Sequence, residues 1–436
     1  MRGVRSLLVL VIVAVGLGVY LYFVESKKQP GEEKKLEKVF TGVQSDKIDQ
    51  VSIKSDSGER TTVEKKSDQW QVTQPVAVKA DEAELSGIAS NLSSLEVQRV
   101  VDEQPSDVKQ YGLEPPRVEV AFREGGHDHR LLIGQKTPTG TDLYARVPEK
   151  PRVFLISSYL DSTFNKKTFD LRDKTVLKID RDKIDHVEIA SADRTLTFAK
   201  QGNDWRMKAP VDARADFGAV EGVIGRLNTV QMKSIAAAEG GDLKEYGLDK
   251  PAVTVHVGSG SSQAGLVIGK SAGEGAVYAK DLSRPMVFTV ESALADELEK
   301  PADDFRVKDL FDARSFNTTR IELTRNGQTV AFEKSKDTWK QVAPAAKDAD
   351  SAKVDALLTA LTNARATSFV DKTDGTGLDS PELTVLVKFD EGQKQERVAF
   401  ARHGSDAYAR RDGDAGAAKI DASALDAIVK ALDALK

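Results

Sequence analysis

Five histidines, His127, His129, His186, His256 and His403, are the only imidazoles in a chain of 436 residues that has no cysteine. His127-Asp-His129 is the best metal candidate, because alternate residues of a strand point the same way. A structural zinc usually takes four ligands, often with sulfur among them, and here only one short cluster exists. The pair also follows Gly125-Gly126, which predicts a solvated hairpin tip. Ser106-Asp-Val-Lys109 has the Ser-x-x-Lys spacing in which a lysine activates a serine for acyl transfer. The matching stretch further along, Gly241-Asp-Leu-Lys244, lacks the serine, which points to a structural segment. Gly240-Gly241 and Gly258-Ser-Gly-Ser-Ser lack the Lys-Ser/Thr of a phosphate loop and the GxGxxG of a dinucleotide site, so they read as turns. Asp and Glu total 68, and no pair of them can be set face to face for glycoside hydrolysis from one sequence. The expectation is therefore no catalytic, cofactor-binding or metal-binding residue, no cofactor, and a non-enzymatic protein.

Aromatic rings offer a second kind of chemistry, the stacking of sugars or peptides. Trp70, Trp205 and Trp339 are the only tryptophans, and they recur at intervals of 135 and 134 residues. Tyr144, Tyr278 and Tyr408 recur in the same way. Either set could form equivalent platforms on one face, the basis of an alternative reading as a module that binds cell-wall glycan or peptide. Residues fixed by a repeat are usually fixed by packing, and large rings bury large areas, so the expectation is core. Exposure of the indoles decides between the two.

The elements that must position these residues repeat as well. Each Trp is followed by a proline, Pro75, Pro210 or Pro344, and then by Asp81, Asp216 or Asp350. After each Asp come apolar residues at helical spacing: Leu85, Ile88, Ala89 and Leu92; Val220, Val223, Ile224 and Leu227; Val354, Leu357, Leu358 and Leu361. Asp suits an N-cap, and Glu84 completes an Asp-x-x-Glu capping box in the first copy. Ahead of each Trp lie two alternating segments joined at Gly58, Asp193 or Asn326-Gly327, which predicts a β-hairpin. After the helix come Tyr111-Gly-Leu-Glu-Pro and Tyr246-Gly-Leu-Asp-Lys-Pro, then four short apolar runs. The third copy is worn: Thr376-Gly-Leu lacks the Tyr, and Ala399-Phe-Ala replaces Leu-Ile-Gly, although Ala407-Tyr-Ala remains. A helical stretch through Leu425, Ile428, Leu432 and Leu435 would close the last sheet, as terminal repeats often cap an array.

The predicted fold class is α+β: three tandem repeats of a mainly antiparallel sheet with one amphipathic helix each, preceded by one N-terminal transmembrane helix. The expected division is an anchor and linker over 1–30, modules over 31–168 and 169–304, and a degenerate capping module over 305–436. On that reading a fragment from Ser157 to Asp304 should fold alone.

The transmembrane expectation rests on Leu7 to Val24, 18 uncharged and almost wholly apolar positions. As a helix they would extend about 27 Å, enough to cross the hydrocarbon core. Arg2 and Arg5 precede them, Tyr20, Tyr22 and Phe23 end them, and the only small-residue site, Gly16-Leu-Gly18, lies inside the run, which favours an uncleaved anchor. Lys27, Lys28, Lys34 and Lys35 follow, but long domains translocate largely regardless of such charges, so the body is expected on the periplasmic or outer side of the cytoplasmic membrane. Net charge is -5, with no basic patch interleaved with aromatics, which argues against nucleic acid as a partner.

Together these motifs, with Tyr111-Gly112-Leu113, Leu132-Ile133-Gly134 and Tyr246-Gly247-Leu248 the clearest, resemble an uncharacterised bacterial repeat family of unknown function. Its members are often encoded beside gliding-motility-type ABC transporters. The resemblance spans nearly all of 36–436 and carries no catalytic residues. It implies a membrane-anchored, envelope-side accessory subunit of an ABC-transporter-type complex.

Overall fold

The computed structural model describes residues 36–435. They hold three nine-stranded sheets, and every strand pairing within them is antiparallel. By compactness the chain divides into a unit ending at Asp173 and a second beginning at Lys174, which contains the second and third sheets.

One sheet serves to describe all three. Ile48–Lys54 runs down the middle of the first. On one side Arg60–Lys66, Gln69–Gln74 and the two-residue Val78–Lys79 meander out to an edge. The helix Glu82–Ser93 then carries the chain across to the opposite edge, where Arg99–Asp102 lies. Val118–Glu124 returns to pair with the central strand, and His127–Lys136, Asp142–Arg146 and Val153–Ser157 meander back outwards. Alternate residues of the inner strands point to the helix side and are buried, as in Val51, Ile53 and Val63.

The helix faces are those read from the sequence. Leu85, Ile88, Ala89 and Leu92 are the buried residues of the first helix, with the same stripes in Phe217–Thr229 and Ser351–Asn363. Asp81 and Asp350 each accept two first-turn amides, and Asp216 accepts one, from Ala219. The capping box of the first copy is only half formed. Glu84 N–H donates to Asp81, but the Asp81 N–H donates to Leu171 O at 2.9 Å, and the Glu84 carboxylate pairs with Lys166 at 2.7 Å.

The fold class expected from the sequence needs correction. The architecture is mainly β, and a module does not have one helix each. The first also holds Leu160–Phe164 and Thr168–Leu171, the second Ser292–Leu298, and the third Ala422–Asp433. Most of these helices, and edge strands such as Val78–Lys79 and Ala213–Arg214, are too short to show a periodicity. The N-terminal transmembrane helix is not supported either. No helix among the described residues is long and apolar enough to cross a membrane, and Leu7 to Val24 lies outside them.

Candidate functional site

Each tryptophan is locked into its module by burial, a bond to the amphipathic helix and a lysine over its ring. Trp70, Trp205 and Trp339 are 2%, 1% and 1% exposed, so none is a platform for a ligand. The Trp205 indole donates to Glu221 at 3.0 Å and the Trp339 indole to Asp355 at 2.9 Å, both carboxylates lying on the amphipathic helix. Trp70 ties to its helix through the backbone instead, its N–H donating to Glu82 at 2.8 Å. A lysine directly across the hairpin lies over each ring: Lys65 at 5.7 Å, Lys200 at 5.6 Å and Lys334 at 5.7 Å from the centroid. These lysines stand five residues before each Trp, a recurrence that the sequence reading missed.

The two glycine motifs turn out to be halves of one contact. Gly112 and Gly247 sit at φ +68, which glycine reaches without strain. That turn presses the backbone of Tyr111 or Tyr246 onto the sheet. A Cβ on Gly134 would lie 2.1 Å from Tyr111 O, and one on Gly269 would lie 2.2 Å from Tyr246 O. The tyrosines then cover the outer sheet face, Tyr111 packing on Tyr144 at 4.9 Å and Tyr246 on Tyr278 at 5.0 Å. The third copy, with Thr376 for the tyrosine, has Ala401 for the sheet glycine, and Tyr408 packs there with Leu378 and Ala401.

The remaining sequence candidates do not converge. His127 is exposed at the start of its strand, whereas His129 is not at a solvated tip: it stacks on Phe122 at 4.8 Å and meets Phe40 at 5.5 Å. Among the described residues no three His, Cys, Asp or Glu side chains are placed to share a metal ion. Ser106 and Lys109 are both exposed, and Asp107 is spent on capping the Lys109 N–H at 2.8 Å. His186 bonds to Asp185 at 2.8 Å.

A cluster of charges joins the second and third sheets around the connector at 303–314. Asp312 accepts from Arg214 at 2.8 Å and from Arg411 at 2.7 Å, and Arg214 also reaches Asp309 O at 2.7 Å and Asp414 at 3.3 Å. Partial burial pushes the Asp312 carboxyl up, but Arg411, Arg214 and Arg314 outweigh it and hold it below the ordinary range. Glu396 is fully buried. It accepts the Asp312 and Ala313 amides at 2.9 and 2.8 Å and pairs with Arg411 at 3.1 Å. Arg306, 5% exposed, lies 3.8 Å from the Phe369 centroid, and burial draws its pKa down against the pull of Asp303, Asp414 and Asp371. Most charges here face another charge or a backbone group, an arrangement that fixes a connector, although the buried Arg306 Nε has no hydrogen-bond partner.

A protein-family model, "Domain of unknown function (DUF4340)", matches the chain twice, over residues 70–206 and 205–381. The chain belongs to this family. The first match runs from one locked tryptophan to the next, so the DUF4340 unit takes in most of one sheet and the opening strands of the following one. No curated protein matches. Among solved structures, a DNA polymerase sliding clamp from Pseudomonas aeruginosa with ligand is 8% identical over 88% of this chain and 93% of the clamp, with a TM-score of 0.17. The DNA polymerase III subunit beta from the same organism is 10% identical over the same shares, again at 0.17. At such values the folds do not superpose, and nothing of the clamp's role carries over.

Proposed function

We propose that this DUF4340 protein is a membrane-anchored, envelope-side, non-enzymatic accessory subunit of an ABC-transporter-type complex. Its body lies on the periplasmic or outer side of the cytoplasmic membrane. The observation that carries the reading is where the recurring residues are spent. The tryptophans, their lysines, the capping aspartates and the Tyr-Gly-Leu turns all hold modules together, as a scaffold that presents surfaces requires. The three indoles lie in cores, which takes away one of the two aromatic sets on which the glycan-binding alternative leaned. The charged connector between the second and third sheets gives two modules a fixed spacing, useful to a protein that bridges partners.

Native electrophoresis of gently solubilised membranes tests this. The chain is expected in a species well above its own 47.4 kDa, together with transporter subunits identified by mass spectrometry. Migration by itself, with transporter subunits elsewhere on the gel, would count against the proposal.

A further inference from the structure

The three modules differ in what covers the edge of the sheet beside the helix cap. In the first, a returning segment pairs there: Asp81 N–H donates to Leu171 O at 2.9 Å, Asp173 N–H donates to Lys79 O at 2.8 Å, and Ala80 bridges Arg172. In the second, Phe305 and Val307 make the same pair of bonds with Asp216 and Arg214, at 2.7 and 3.2 Å, and Ala215 bridges Arg306. Phe305 is buried there against Phe198, with centroids 5.3 Å apart. In the third, no described segment reaches the matching edge Lys347–Asp348, and no described carbonyl accepts from Asp350 N–H.

The uncovered edge borders a hollow of about 290 Å³ in which Leu323, Val330, Pro344, Leu432 and Leu435 supply apolar lining beside the polar Arg325, Asn326, Gln328, Gln341 and Lys347. Val330 stands where the first module has Thr61, fully buried and hydrogen-bonded at 2.7 Å to Thr168 of its returning segment. The third module therefore has the receptor half of an interaction that the chain completes internally twice. An open strand edge beside a hollow with an apolar lining patch is the usual acceptor for an added strand.

We infer that this edge of the third module binds an extended peptide segment of a partner protein by strand addition. The internal examples set the ligand's chemistry. A large apolar side chain, like Leu171 or Phe305, enters the hollow, and its carbonyl takes the Asp350 N–H. Two residues on, the first module puts Asp173 opposite Lys79, 3.7 Å apart. The third module has Asp348 at the Lys79 position, so its ligand carries Lys or Arg there. The inference stands apart from the transporter reading, since it rests on the repeat geometry alone.

The test uses the full chain and a labelled synthetic peptide copying residues 299–309 with Val307→Lys, followed by fluorescence anisotropy. The two internal edges stay occupied by their own tethered segments at high effective concentration. Saturable binding is expected, weakened roughly tenfold or more when the peptide's Phe305 is changed to Asp. Asp348→Lys, an exposed substitution, should reverse the preference toward a peptide with Val307→Asp. Absent binding at millimolar peptide, indifference to Phe305→Asp, or an unchanged preference in the Asp348→Lys chain would each overturn the inference. So would concentration-dependent dimerisation abolished by Asp348→Lys, which would make a second copy the occupant.

Discussion

Gly134 and Ala401 occupy the same place in two modules yet should respond in opposite ways to a single methyl. At Gly134 the added Cβ of Gly134→Ala would meet a backbone oxygen at 2.1 Å, and backbone cannot swing aside as a side-chain tip can. The expected cost is about 1–3 kcal/mol, read as a loss in chemical denaturation of the first unit. Ala401→Gly removes a methyl where the turn has already adjusted, and about 1 kcal/mol or less is expected. Equal effects at both positions would mean that the two glycine motifs are not one contact. The sequence displayed both motifs and their joint wear in the third copy. It could not show that they touch, because a turn and a strand 22 residues apart meet only through the sheet. The tryptophans were easier, since three bulky rings at one interval have few roles besides packing. His129 was misread because a pair of glycines suggests a tip, and nothing local reveals that Phe40 returns to cover the ring.

The long helices and paired strands were legible because their apolar residues keep a period of 3.6 or 2 over enough residues. Two-residue edge strands and one-turn helices keep none, and those are what cover the sheet edges. The connector at 303–314 likewise has no pattern of its own, and its meaning lies in partners such as Arg411, 99 residues from Asp312. Two outcomes follow at this level. Glu396→Gln should destabilise the second unit by about 3 kcal/mol, because it strips the charge from a buried group that holds two amides and an arginine. Asp312 is held below the ordinary carboxylate range. Its contribution is therefore complete above the unfolded value near 3.9 and is lost as the pH falls through the folded value. Asp312→Asn should flatten the loss of stability below about pH 4. Because the side chain is 49% exposed, the effect at neutral pH should be only about 1 kcal/mol. Thermal unfolding of both variants at pH 7 and pH 3 would check these expectations.

For the molecule as a whole, three copies were visible in the tryptophan spacing, but the places to cut it were not. Leu160, Phe164 and Leu171 belong to the first core, and Phe305 is buried in the second module. A fragment over 157–304 therefore carries residues it cannot bury and lacks one it needs. It is expected to fold poorly by circular dichroism, whereas 36–173 should unfold in one cooperative transition. A cooperative 157–304 fragment would show that the returning segment is dispensable. The central claim, that this scaffold serves a membrane transporter, is tested most directly by crosslinking the tagged full-length protein in intact membranes. Mass spectrometry then identifies what is joined to it. The account predicts an ABC permease or ATPase among the specific adducts. Wall fragments alone, or no specific adduct, would contradict it.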